Sequence, residues 1–113
     1  MTAFRETVRG DCLVVELAGK IDASTTPAIQ TRLIEKIRSG QKYLGLDFRA
    51  VSYLASSGLR MLLMLATTTA DREGRLVLCG LDQTMIDTLT LVGFLPNFQI
   101  AADGDAAFAL LEA

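Results

Sequence analysis

Short apolar runs alternate with amphipathic segments along the first forty residues. The runs 4–8 and 13–17 flank the turn-forming pair Gly10-Asp11 and predict an opening β-hairpin. Segment 23–40 carries apolar residues at helical spacing and predicts a surface helix with one buried stripe. The features of that helix are the stripe Ile29, Leu33 and Ile37, the candidate caps Ser24, Thr25 and Thr26, and the boundary residues Pro27 and Gly40. The predicted order is therefore strand, strand, helix.

The remaining pattern continues this alternation. Residues 43–48 form an apolar run flanked by polar residues, which fits a strand buried on both faces, and a helix is predicted from about Ser57 to Asp71. The segments 75–80, 81–93, 98–100 and 102–113 predict a strand, a helix, a short strand and a terminal helix. No linker or repeat interrupts them, so residues 1–113 are predicted to form a single α/β domain with a mixed sheet and right-handed crossovers.

The composition narrows the class of function. The chain has 113 residues, and half of them are hydrophobic, which is enough for one core. Eleven basic against thirteen acidic side chains give a formal net charge of -2, so there is no basic footprint for nucleic acid. No apolar run reaches the roughly 18 residues that a membrane helix needs, and the polar N-terminal stretch contains no signal-peptide core. We therefore expect a cytoplasmic protein that binds neither nucleic acid nor membrane.

Residues able to perform nucleophilic or metal chemistry are scarce. Histidine is absent, which removes Ser-His and Cys-His nucleophiles and the commonest metal ligand. Cys12 and Cys79 each lie in a β-like apolar run, so two buried thiols in a reducing compartment are favoured over a disulfide or a metal pair. The sequence therefore argues against a hydrolase or a metalloenzyme, and it predicts no catalytic residue, cofactor or metal site.

The stretch 53–65, YLASSGLRMLLML, places two hydroxyl groups at the start of a predicted helix. Ser56 and Ser57 fit an ordinary N-cap, which nearly every helix needs. They also fit a phosphate-bearing site, because Gly58 leaves the first turn small and the positive end of the helix dipole favours an anion. Arg60 is then either a solvated side chain or the partner of a phosphate or an acidic group. The residues alone leave both interpretations open.

The body of this helix is apolar almost all round. At about 100° per residue, its apolar positions divide into a core side and a far side. The core side is Leu59, Leu62, Leu63, Ala66 and Ala70, and the far side is Met61, Met64 and Leu65. An all-apolar helix is either fully buried or docks a partner, and methionine is common on adaptable binding surfaces. The far side is therefore interpreted as a partner surface.

Three segments together resemble the STAS domain, the fold of bacterial anti-sigma factor antagonists and of the cytoplasmic tails of some anion transporters. They are LAGKID at 17–22, YLGLDFRAVSYLASSGLRMLL at 43–63 and TLTLVGFLPNFQIAADGDAAFALL at 88–111. They stand in the family's order at its spacing, and the resemblance covers nearly the whole chain. It implies a mixed sheet of about four to five strands with parallel central strands, covered by about four helices.

The resemblance also implies a regulatory binding module rather than an enzyme. In the single-domain antagonists a partner anti-sigma factor, a serine kinase with a histidine-kinase-like ATPase fold, phosphorylates the first serine of the Ser-Ser-Gly motif. A metal-dependent serine phosphatase reverses this, and the unphosphorylated form binds the kinase and frees the sigma factor. By motif match the acceptor is Ser56, with Ser57 as the alternative. The expected partner-binding residues are Asp22, Ser57, Gly58, Arg60, Met61, Met64 and Leu65.

One position departs from the family pattern. Ala55 stands where the kinase substrates usually have Asp, which removes a charge available to kinase recognition. Asp22 matches a family acid near the acceptor, and hydrogen bonding to the following loop explains it equally well. Asp47 fits a turn or cap acceptor better than an acid of this site. The alternative function is a STAS scaffold subunit of a larger signalling or transport assembly, with the same docking face and no phosphorylation.

Overall fold

The computed structural model describes residues 4–113 and contains the predicted sequence of elements. The strands are β1 Phe4–Arg9, β2 Cys12–Ile21, β3 Tyr43–Leu54, β4 Arg75–Cys79 and β5 Gln99–Ala101. The helices are α1 Thr26–Arg38, α2 Ser56–Asp71, α3 Gln83–Leu91 and α4 Gly104–Glu112. A single 3-10 turn, Leu95–Asn97, precedes β5. The predicted α/β class and the alternation of strands and helices are confirmed.

The strands form one mixed sheet in the order β1-β2-β3-β4-β5. β1 runs antiparallel to β2, as the predicted hairpin requires, and every other neighbouring pair is parallel. Parallel neighbours need crossover connections, and here each crossover contains a helix. The carboxyl ends of β2, β3, β4 and β5 therefore lie at one edge of the sheet, called the carboxyl edge below. All four helices begin at this edge.

Both faces of the sheet are covered, by unequal helical layers. One face packs against α1, α2 and α3, and its buried strand residues include Leu13, Val15, Leu44, Leu46 and Leu78. The opposite face packs against α4, and this smaller cluster includes Val14, Val77, Ala107, Phe108 and Leu111. The predicted burial of 43–48 on both faces is confirmed, because every residue from Leu44 to Phe48 is buried.

The two cysteines lie in the smaller cluster. Cys12 and Cys79 are both free thiols and both are buried. Burial raises the pKa of the Cys79 thiol to about 12, and it also raises the pKa of Cys12. Because the thiolate is the reactive form, these cysteines are structural rather than nucleophilic. The prediction of two buried thiols is confirmed.

β3 continues to Leu54, well beyond the strand predicted for 43–48. In this extension it pairs with β2, and its register shifts by one residue after Asp47 and again after Val51. The Asp47 carboxylate holds the first bulge by accepting hydrogen bonds from the backbone N–H and from Nε of Arg49, each at 3.0 Å. Bulges bend a strand and re-aim its end. The extension delivers the chain to the start of α2, and its mostly exposed residues lack the apolar pattern of a buried strand.

The predicted orientation of α2 is wrong for two of its three far-side residues. Met61 is 1% exposed and Leu65 is 0% exposed, so both belong to the core. They are buried because α2 packs against α1 as well as against the sheet, which covers two sides of the helix. Thr69 completes this buried stripe, since its hydroxyl donates to carbonyl oxygens of the preceding turn instead of needing water. An apolar helix without a polar face gives no sequence signal for its rotation.

Candidate functional site

The first turns of α1 and α2 lie side by side at the carboxyl edge. The backbone N–H of Ala55, just before α2, donates to the carbonyl oxygen of Ile21 at 2.8 Å. The hydroxyl groups of Thr26, in α1, and Ser57, in α2, lie 3.3 Å apart. These two contacts fix the start of α2 against the loop that precedes α1. The candidate site consists of Ser56, Ser57 and the residues around them at this junction.

The N-cap predicted at Ser56 or Ser57 is wrong, because α2 begins one residue earlier. Ala55 is the N-cap, with extended backbone, and its side chain makes no capping hydrogen bond. Its carbonyl oxygen accepts from the N–H groups of Gly58 and Leu59. No acceptor among residues 4–113 reaches the N–H groups of Ser56 and Ser57. The helix start therefore presents two free donors at the positive end of its dipole.

The two serine side chains have different surroundings. Ser56 is exposed, and its hydroxyl makes no hydrogen bond within the described chain. Ser57 is partly buried, and its hydroxyl meets that of Thr26, a residue only 6% exposed. Of the two predicted phosphorylation positions, the hydroxyl of Ser56 is therefore more accessible to a kinase than that of the alternative, Ser57.

Gly58 has a packing role that the sequence did not reveal. A Cβ atom at this position would lie 2.6 Å from Cδ1 of Leu54 and 2.9 Å from Cγ2 of Ile21. Both distances are shorter than a normal carbon contact, so the glycine lets the first turn of α2 rest directly on the ends of β2 and β3. Gly58 is buried. It sets the position of the neighbouring serines rather than providing space for a ligand.

Asp22 lies in the loop that leads into α1. Its Oδ1 accepts hydrogen bonds from the backbone N–H of Ser24 at 2.9 Å and from the Ser24 hydroxyl at 2.7 Å. Further bonds come from Thr25, and together these bonds lower the pKa of the Asp22 carboxyl, with the Ser24 hydroxyl as the largest cause. The loop-bonding interpretation of Asp22 is confirmed. Its charge nevertheless stands next to the junction, one residue after Ile21.

Asp47 belongs to the opposite face of the sheet. Residues two apart in a strand point to the same face of the sheet. The Cβ position of Gly45, two residues earlier, faces α4, so the Asp47 side chain also lies on the α4 side. The carboxylate is buried and pairs with Arg49, which also reaches Glu16 at 3.4 Å. Gly80 approaches this pair so closely that a Cβ atom there would lie 2.5 Å from Oδ1 of Asp47. Asp47 is therefore a structural acceptor within β3, and it is not brought to the serines.

Three large side chains within eight residues of Ser56 in sequence reach the surface. Arg60 is exposed and forms no ion pair with another residue of the described part of the chain. Met64 is partly exposed, so one of the three predicted far-side residues does reach the surface. Tyr53, at the end of β3, is 55% exposed and was missed by the sequence analysis. A lone exposed aromatic residue carries little signal in a sequence, because single apolar side chains are common on protein surfaces.

Within residues 4–113, no cluster of three potential metal ligands is present. The helices described here are also too short or too polar to cross a membrane. The site therefore offers hydroxyl groups, free backbone donors and a mixed apolar and cationic surface. Such a site can carry a covalent group or dock a protein.

The comparisons with known proteins identify the family to which this fold belongs. Residues 4–107 match the family model of the STAS domain, so the chain belongs to the STAS domain family. The "Putative anti-sigma factor antagonist BtrV" of Bordetella bronchiseptica is 29% identical over 97 residues, which cover 86% of this chain and 84% of that protein. The resemblance stated from the sequence is confirmed.

Solved structures share the whole fold. An anti-sigma factor antagonist from Mycobacterium paratuberculosis superposes with a TM-score of 0.83 at 21% identity, covering 100% of this chain and 96% of that one. The Bacillus cell fate determinant SpoIIAA in the phosphorylated form superposes with a TM-score of 0.74 at 21% identity, covering 96% of this chain and 99% of that one. At these identities the likeness establishes the STAS fold.

Proposed function

We propose that this protein is an anti-sigma factor antagonist that binds an anti-sigma factor while Ser56 is unphosphorylated and loses this affinity once Ser56 carries a phosphate. The relative named as an anti-sigma factor antagonist supports the role, and so does the fold shared with antagonists. The observation that carries the switch is the exposed Ser56 hydroxyl at a helix start without a side-chain cap. The partner is an anti-sigma factor with serine kinase activity, and its occupation frees a sigma factor.

The switching reaction requires only an accessible hydroxyl from this chain. Ser56 Oγ attacks the γ-phosphorus of ATP held by the kinase, and the new O–P bond forms as the bond to the β,γ-bridging oxygen breaks. ADP leaves with that electron pair, and the hydroxyl proton passes to a base of the kinase. A metal-dependent serine phosphatase reverses the state by delivering water to the phosphorus: the Ser56 Oγ–P bond breaks, inorganic phosphate leaves, and Ser56 Oγ regains a proton. This chain is the substrate in both reactions and needs no catalytic residue of its own.

A phosphate on Ser56 is expected to change binding more than folding. It adds about 1.5 to 2 negative charges at an exposed position, where the free N–H groups and the dipole of α2 favour an anion. In a close contact the same charge must lose its water, which opposes docking. The nearby side chains of Tyr53, Arg60 and Met64 provide the contact surface that this charge would interrupt.

The phosphorylation step is tested by incubating the protein with ATP and the serine kinase encoded beside its gene, followed by mass spectrometry of the peptides. We expect one phosphate per chain, located on Ser56, and loss of most of the label after Ser56→Ala. Ser52→Ala is the matched control, because Ser52 is an exposed serine four residues earlier on β3 and its loss should leave labelling unchanged. Retained binding without any label would instead favour the non-phosphorylated scaffold role.

The docking surface is tested by comparing two methionines of α2. Met64→Asp should change the free energy of unfolding by no more than about 0.5 kcal/mol and weaken kinase binding by about tenfold or more. Met61→Asp should lower the free energy of unfolding by about 3–5 kcal/mol, because it leaves an unpaired charge in the core. Urea denaturation and titration calorimetry measure both. A large loss of stability from Met64→Asp would remove that residue from the surface.

A further inference from the structure

The hydroxyl of Ser57 is held by a residue of a different helix. Thr26 Oγ1 and Ser57 Oγ lie 3.3 Å apart, 31 positions apart in sequence, and either atom can donate. Thr26 is 6% exposed, so water has little access to its hydroxyl, and Ser57 is partly buried. Ser56, one residue earlier, is exposed and has no such partner among the described residues. The two neighbouring hydroxyls thus differ because one has a bond inside the fold.

The position of Thr26 is itself fixed by the loop before α1. The backbone N–H of Thr26 donates to the carbonyl oxygen of Asp22 at 2.9 Å, and the hydroxyl of Thr25 donates to the carbonyl oxygen of Lys20 at 2.8 Å. The carbonyl oxygen of Ile21, the last residue of β2 before this loop, accepts the N–H of Ala55. Two hydrogen bonds therefore join the start of α2 to the region around the start of α1: one between Thr26 and Ser57, and one from Ala55 to Ile21. Thr26 cannot move outward together with the Ser57 side chain without losing the hydrogen bonds of the loop before α1.

We propose that Thr26 determines which of the two serines receives the phosphate, by keeping the Ser57 hydroxyl inside the fold. This inference rests on the proposed function. For Ser57 Oγ to attack the γ-phosphorus of ATP, the hydroxyl must turn away from Thr26 and leave a buried oxygen without its partner, which is unfavourable. A phosphate on Ser57 would also have to be placed against the first turn of α1. Thr26 contacts neither ATP nor the reacting atoms, so it is a positioning residue.

The competing explanation is that the kinase selects Ser56 only because Ser56 is exposed. The background Ser56→Ala separates this explanation from restraint of Ser57 by Thr26. In that background only Ser57 remains, and its labelling reports whether Thr26 restrains it. Thr26→Val removes the hydroxyl while keeping the shape of a buried side chain, and Thr26→Ser keeps the hydroxyl. Thr31→Val is the matched control, because Thr31 is an exposed threonine of α1 that bonds to the carbonyl oxygen of Pro27.

The experiment is phosphopeptide mapping after incubation with ATP and the serine kinase encoded beside the gene. The wild-type chain should be labelled on Ser56, and Ser56→Ala should be labelled on Ser57 at a residual rate only. Adding Thr26→Val should raise the initial rate of labelling on Ser57 about three- to tenfold above that of Ser56→Ala, the factor that release of one hydrogen bond provides. Thr26→Ser and Thr31→Val should each leave that residual rate unchanged. Circular dichroism and urea denaturation check that every variant is folded.

Three results would overturn the inference. Labelling of Ser57 in Ser56→Ala at the same rate as after Thr26→Val is added would show that Thr26 does not restrain it, while the proposed phosphorylation of this helix start would stand. No label on Ser57 after Thr26→Val in a folded protein would show that another feature selects the serine. No label on either serine in any variant, with a kinase shown to be active on ATP, would remove the proposed function together with this inference.

Discussion

The four helices begin at the same edge of the sheet, and two of them are capped while two are not. Asp82 accepts a hydrogen bond from the N–H of Met85 at the start of α3, and Asp103 accepts one from the N–H of Ala106 at the start of α4. α1 and α2 have no side-chain cap. An aspartate cap stabilises a helix by typically about 1 kcal/mol relative to alanine. The chain therefore forgoes this contribution at the junction that contains Ser56.

The lack of an aspartate cap leaves the start of α2 able to accept a negatively charged group. A helix start capped by aspartate already carries a negative charge, so a second anion there would be repelled. The start of α2 has free N–H groups and a neutral N-cap, Ala55, so a phosphate on Ser56, one residue further along, meets no capping carboxylate there. Stability of the first turn comes instead from packing at Gly58 and from the bond between Thr26 and Ser57.

The largest expected effect contrasts the glycines of two helix starts. Gly58→Ala should lower the free energy of unfolding by about 1–2 kcal/mol, because the added methyl overpacks against Leu54 and Ile21 by more than the gain in helix propensity. Gly104→Ala, in the first turn of α4, should raise it by about 0.5–1 kcal/mol, because nothing lies within 4 Å of its Cβ position. Urea denaturation measures both. Equal effects at the two positions would refute the packing role of Gly58.

A somewhat smaller effect distinguishes a cap from an exposed hydroxyl. Asp82→Ala should lower the free energy of unfolding by about 1 kcal/mol, because the N–H of Met85 loses its acceptor. Ser56→Ala should change it by less than about 0.5 kcal/mol, because the Ser56 side chain is exposed and caps nothing. If thermal unfolding shifts equally in the two variants, Ser56 is a cap and the contrast between the helix starts fails.

The smallest expected effect is a titration. The Ser24 hydroxyl and the neighbouring N–H groups hold the pKa of the Asp22 carboxyl below its ordinary value. A depressed folded-state pKa contributes stability above the unfolded-state pKa, and that stability is lost as the pH falls through the folded-state value. Carboxyl NMR titration should show the low midpoint, and Ser24→Ala should move it upward. An unchanged midpoint in Ser24→Ala would mean that the loop at the junction is not held by this bond.

The order and type of the elements could be predicted because the periodicity is strong and glycine or proline marks most boundaries. The rotation of α2 could not, since leucine and methionine surround it and Thr69 is buried through bonds to its own helix. The length of β3 depends on the bond between Asp47 and Arg49, which looks like an ordinary polar turn in the sequence.

The candidate site divides in the same way. Ser56 could be located because the serine pair stands at a predicted helix start and within a family motif. The absence of a cap could not be predicted, because a serine at that position usually is the cap and the helix begins one residue earlier. The bond between Thr26 and Ser57 joins residues of two helices, so it could not be predicted from a local sequence pattern.

The most direct test of the account compares the two states of one protein. The chain is phosphorylated on Ser56, purified, and titrated calorimetrically into the anti-sigma factor beside the unmodified chain, with the unfolding temperature of each form recorded. We expect the unmodified form to bind and the phosphorylated form to bind at least about tenfold more weakly, with an unfolding temperature no lower than that of the unmodified form. Equal affinity of the two forms, or unfolding of the domain by the phosphate, would contradict the account.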